Sequence, residues 1–167
     1  MLLKQLVLAV VVVGVVLPFG VTAQDANELQ AYTRTLLIGP GLQVSLLHLN
    51  EKTLPAIFQP PTIYAMRVRA REGTLMYVQG TTEREFEIDP GQFKLEQDGK
   101  STNGKPVNIK NFQKGKVPSG QRIDGLVLFA AHADVLKPFT IKYGTGSAEF
   151  SFTDDQVKAM APPAPQD

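Results

Sequence analysis

The sequence predicts an all-β domain, an antiparallel sandwich of seven to nine strands, and three observations carry that expectation. Short runs alternate at period two, as from Ile63 to Arg71, where Tyr64, Met66, Val68 and Ala70 interleave with Ala65, Arg67, Arg69 and Arg71. Glycine- and proline-based turn residues separate the runs at short intervals, the punctuation of a sandwich or a barrel. The chain also has no cysteine, so a packed core has to hold it.

The first element is a leader. Lys4 is the sole charge of residues 1–23, Leu6 to Leu17 is aliphatic apart from Gly14, and Pro18 and Gly20 end the run. Val21-Thr22-Ala23 then suits signal peptidase, which places cleavage between Ala23 and Gln24. An uncleaved anchor is the alternative, but Leu6 to Phe19 is shorter than the roughly 20 residues that span a bilayer. No stable membrane anchor is therefore expected after cleavage. Removing 23 residues from 167 leaves 144, and the loss of Lys4 takes the 17 basic residues to 16, against 16 acidic ones. A neutral chain of that length buries about two thirds of its unfolded surface. It lacks the basic field that draws in nucleic acid.

Within the mature chain, residues 24–160 read as one domain. Asp25 and Glu28 suit the start of a short helix with Leu29, Tyr32 and Leu36 on one face. Leu42 to Leu49 alternates as a strand, with Leu47 and Leu49 suggesting cover on both faces. Pro55, Pro60 and Pro61 make Lys52 to Thr62 an extended crossover, because proline removes a donor and restricts its predecessor. Strands are then expected at Ile63–Arg71, Thr74–Val78, Arg84–Ile88, Gln92–Gln97, Val107–Phe112, Leu126–Phe129, Phe139–Tyr143 and Ala148–Phe152. Turns fall at Glu72-Gly73, Gln79-Gly80, Pro90-Gly91, Asp98-Gly99, Asn103-Gly104, Pro118 with Gly120, and Gly144-Thr145-Gly146. A helix capped by Thr153 runs from Asp154 to Met160, and residues 161–167 form a Pro-rich tail with no large apolar anchor.

One stretch carries a resemblance. Phe93-Lys94-Leu95-Glu96-Gln97-Asp98-Gly99-Lys100, Pro118-Ser119-Gly120 with Gly125-Leu126-Val127-Leu128-Phe129, and Pro138-Phe139-Thr140-Ile141-Lys142-Tyr143 together resemble exported bacterial immunoglobulin-like domains, mostly of unknown function. The resemblance implies an immunoglobulin-like β-sandwich and transfers no catalytic residue. Without Cys or Trp, the disulfide and packed indole of antibody domains are missing. Gly125, at the mouth of an aliphatic strand, points to a bulge or a close backbone approach.

The residue inventory offers little chemistry. The absence of cysteine excludes thiolate zinc, iron–sulfur, covalently attached haem, a cysteine nucleophile and lipoprotein acylation. His132 and Asp134 supply two ligands of the three or four a metal needs, and His48 reads as a strand residue at the core edge. Ser147 lacks a nucleophile elbow, and Gly144-Thr145-Gly146 lacks the Gly-Lys-Ser/Thr of a phosphate loop. Glu85 and Glu87 share one solvated face, whereas paired acid–base catalysis needs two different environments. Arg67, Arg69 and Arg71 are expected to form a cross-strand ladder with Glu83, Glu85 and Glu87. Failing that, they form a small basic stripe able to fork onto a carboxylate-bearing partner or an acidic glycan.

The expected function is a non-enzymatic binding or structural module of the bacterial envelope, periplasmic or extracellular, without cofactor. Its partner is an envelope protein or glycan, recognised through loops or a sheet edge, and Lys52–Thr62 and Asp98–Pro106 are the candidate loops. The alternative is a barrel that carries a small apolar ligand in a cavity lined by Tyr64, Met66, Tyr77 and Phe93. A pocket joining His48 or His132 to a buried carboxylate would instead favour hydrolysis.

Overall fold

The computed structural model describes residues 23–107 and 112–161. The chain runs through α1 (Ala23–Gln30), β1 (Thr33–Gly39), β2 (Leu42–His48), α2 (Leu54–Ile57), α3 (Thr62–Glu72), β3 (Thr74–Thr82) and β4 (Phe86–Ile88). After a 3-10 turn at Pro90–Gln92 come β5 (Lys94–Gln97), β6 (Lys100–Val107), β7 (Gly115–Val117), β8 (Arg122–Phe129), β9 (Phe139–Tyr143), β10 (Gly146–Phe150) and α4 (Asp154–Met160). The signal segment 1–22, the tail from 162 and the middle of the strand expected at Val107–Phe112 lie outside the described residues, as do the side chains at the expected Asp25 cap. No helix among the described residues is long and apolar enough to cross a membrane.

All the ladders are antiparallel, as the short alternating runs implied. The two separate sheets of a sandwich give way to one eight-stranded sheet, ordered β1-β2-β3-β8-β6-β5-β9-β10, with β4 and β7 as a separate pair. The cause is β6, which changes partner midway: Lys100–Asn103 pairs with β5, and Gly104–Val107 with β8. Gly104 is therefore a strand corner and not the expected turn; a Cβ there would collide with Val127 and crowd the Phe129 ring. The sheet curls until its edge strands almost meet. Arg34 on β1 fastens them, donating from Nε to the Glu149 carbonyl and from Nη2 to the Ser151 carbonyl, both at 3.1 Å.

The curled sheet has two apolar layers. Its interior is filled by large side chains, among them Phe93, Phe112, Phe129, Phe139 and Phe150, all buried. Gly125 makes the expected close approach, since a Cβ at that position would lie within the Phe112 ring. On the outside, Leu47, Leu49, Leu75, Tyr77 and Leu126 pack under Leu29, Leu54, Ile63 and Met160 of the helices. The four residues assigned to a carrier cavity fall apart accordingly: Phe93 is in the inner layer, Met66 and Tyr77 in the outer, and Tyr64 is 60% exposed.

Ile63–Arg71 is a helix and not a strand. Its period-two alternation coexists with a second pattern, in which Ile63, Met66, Arg67 and Ala70 are the more buried positions at i, i+3, i+4 and i+7. Ala, Met and Arg also favour helix, and tertiary packing selects that period. The Lys52–Thr62 crossover is likewise not extended, because Pro55 stands in the first turn of α2, where its missing N–H costs nothing. The remaining differences concern length and turns. Leu36 lies on β1 beyond the N-terminal helix, Gly80 is inside β3, and Asp98–Pro106 is a tight Asp98-Gly99 turn followed by β6. The C-terminal helix is as expected, with a complete capping box between Thr153 and Gln156.

Candidate functional site

One end of the curled sheet carries a cleft of about 280 Å³, lined by the end of β2, the loop after it, α3, the start of β3 and residues 132–135. The loop after β2 is shaped by Asn50. Its Oδ1 accepts from the Lys52 and Thr53 amides at 2.9 and 3.2 Å, and the fully buried Thr53 hydroxyl donates to the His48 carbonyl at 2.9 Å. These local bonds turn the chain back under α3.

His48, the last residue of β2, is 7% exposed and lines the cleft. Asn50 Nδ2 lies 3.2 Å from its Nδ1; the amide donates, so Nδ1 accepts and the ring proton sits on Nε2. Burial lowers its pKa to about 4, which keeps the ring neutral near pH 7. Phe139 and Phe152 hold the ring in place at centroid distances of 5.9 and 5.6 Å.

His132 reaches the same cleft from the segment after β8. Thr74 anchors that segment: its hydroxyl donates to the Ala131 carbonyl and accepts from the Ala133 amide, both at 2.8 Å. Gln97 continues the clamp, accepting from the Asp134 amide at 2.8 Å. Asp134 itself lies 3.6 Å from Lys137 and is not paired with His132. Among the described residues no group of three His, Asp or Glu could hold a metal.

The helix redistributes the three arginines. Arg67 and Arg71, one turn apart, line the cleft, whereas Arg69 pairs with Glu72 at 2.9 Å outside it. Arg67 Nε donates to Glu51 Oε2 at 2.8 Å, with the Glu51 side chain 19% exposed. Arg71 makes no hydrogen bond or ion pair with the described residues. The expected ladder is absent because Arg67, Arg69 and Arg71 are not on a strand, and Glu85 pairs instead with Lys116 on β7 at 3.2 Å. The first residue of the expected cleavage pair, Ala23, opens α1, and Gln24 follows within it.

The cleft thus joins both histidines to a half-buried carboxylate, the arrangement named above as favouring hydrolysis. Several of its groups are engaged within the protein: Glu51 is held by Arg67, His48 Nδ1 accepts from Asn50, and the one hydroxyl in the lining, on Thr74, is bonded on both sides. What the cleft presents is hydrogen-bond donors beside apolar surface. Nothing in the sequence placed His48 and His132 on one cleft, and the only local sign of the Arg67–Arg71 pair was the i, i+4 spacing. Fold and cleft define a curled antiparallel β-protein with a donor-rich pocket at one end. Comparison with protein-family models, with curated proteins and with solved structures finds no match.

Proposed function

We propose that the protein is an exported, non-enzymatic binding module of the cell envelope that engages a carboxylate-bearing envelope protein or glycan through this cleft. The observation that carries the reading is the convergence of Arg67, Arg71, His48 and His132 on one pocket in which Arg71 has no partner among the described residues. A guanidinium with both edges free forks onto a carboxylate with two parallel bonds. The apolar leader ending at Ala23 supports export, and the neutral mature chain gives no field toward nucleic acid.

The test is expression of the full chain in a bacterial host, followed by intact-mass measurement and calorimetric titration with an oligogalacturonate and an acidic peptide. The expected product begins at Gln24 and binds at least one acidic probe, with about tenfold weaker binding in Arg71→Gln. A cytoplasmic product that retains residues 1–23 overturns export. Equal binding by Arg71→Gln, or no binding of either probe, overturns the cleft as the recognition site.

A further inference from the structure

The cleft's own chemistry narrows the ligand. About 280 Å³ is room for ~9 water-sized atoms, which is too small for a polymer chain to fill and right for one short group. Among its arginines and carboxylates the balance is plain: Arg67 and Glu51 neutralise each other at 2.8 Å, and Arg71 is left as the uncompensated guanidinium. A single negative charge matches that balance, and a second would meet no further unpaired guanidinium in the lining.

The donors are matched by apolar surface. Leu49, Leu54, Ala70, Val135 and Met160 complete the lining, so a ligand with only polar groups would leave this surface uncovered. His48 adds a second donor: the residue is more than nine-tenths buried, its Nδ1 is committed to Asn50, and its Nε2–H has no partner among the described residues. A ring N–H at the wall of an open cleft is served by water, or by an acceptor atom of a ligand that displaces that water.

Building on the binding reading above, we infer that the cleft takes a small amphipathic monocarboxylate, its carboxylate on Arg71 with His48 Nε2–H as a further donor, and its short apolar body against Leu49, Val135 and Met160. The same chemistry occurs in a free short-chain acid and in the free C-terminus of a peptide ending in an apolar residue.

The test is NMR titration of the labelled mature protein with hexanoate, hexanamide, acetate, and a peptide ending in Val-Leu with a free or an amidated terminus. Hexanoate is expected to shift the His48 imidazole signals and the amides of residues 131–135, and to bind about tenfold more tightly than hexanamide or acetate. Arg71→Gln, at an exposed position, removes the preference over hexanamide, and Val135→Ser removes the preference over acetate. Tighter binding by the free-terminus peptide than by hexanoate identifies a peptide end as the source, and the reverse identifies a free acid. Equal binding of hexanoate and hexanamide, or shifts elsewhere, overturns the inference. Acetate binding as well as hexanoate overturns the apolar body alone and leaves the acidic-partner reading standing. Failure of every acid removes both.

Discussion

His48 shows how one residue couples the site to stability. Its pKa falls from 6.5 to about 4 because the ring is buried, so between those values the unfolded chain holds a proton that the folded chain does not. The unfolded state then binds more protons, and stability declines as pH falls through this window, by about 3 kcal/mol if the whole shift is expressed. His48→Gln keeps an acceptor for Asn50 Nδ2 but does not titrate. Urea midpoints at pH 7 and pH 4.5 are expected to fall markedly further for the wild type than for the variant. Equal falls would mean that other groups carry the acid sensitivity. The sequence placed His48 at the edge of the core, and the structure agrees. That it shares a cleft with His132 was illegible, because the approach of segments so far apart in the chain leaves no local periodicity.

Elements are read from their period, and α3 shows the limit of that reading. Ile63–Arg71 satisfies both a period of two and a period of 3.6, and only the neighbours that bury Ile63, Met66 and Ala70 decide between them. The decision matters for the site, because a strand would have placed Arg67, Arg69 and Arg71 on one face, whereas the helix sends two to the cleft and one to Glu72. The seam between β1 and β10 belongs to the same scale. Arg34 also donates from Nη1 to the Ala31 and Thr33 carbonyls, and its guanidinium stands 5.5 Å from the Phe150 ring centroid. Arg34→Ala is expected to cost about 2 kcal/mol and to raise amide exchange first in β10. Arg34→Lys should recover only part of this, since an ammonium cannot span two carbonyls on one plane. Unchanged exchange in β10 would show that the seam is held by packing alone.

The whole molecule is two apolar layers on one sheet. Leu46 points into the inner layer and Leu75 into the outer, and both lie on adjacent paired strands. Leu46→Ala and Leu75→Ala are each expected to cost about 3 kcal/mol and to lower one shared transition, with calorimetric and van't Hoff enthalpies in agreement. Two separable transitions would show that the layers fold independently. By itself the sequence determined what local chemistry controls: the antiparallel β character, the tight turns at Asp98-Gly99, Gly120 and Gly144, the capped helix after Thr153 and the need for a glycine at 125. Backbone dihedrals, missing donors and side-chain volume act within a few residues, so they can be read from a single chain. The tertiary structure alone decided that the strands form one curled sheet, that Ile63–Arg71 coils, and that Arg67, Arg71, His48 and His132 face a common cleft. Those outcomes depend on which surfaces are buried against which, and burial is a property of the assembled core and not of any segment.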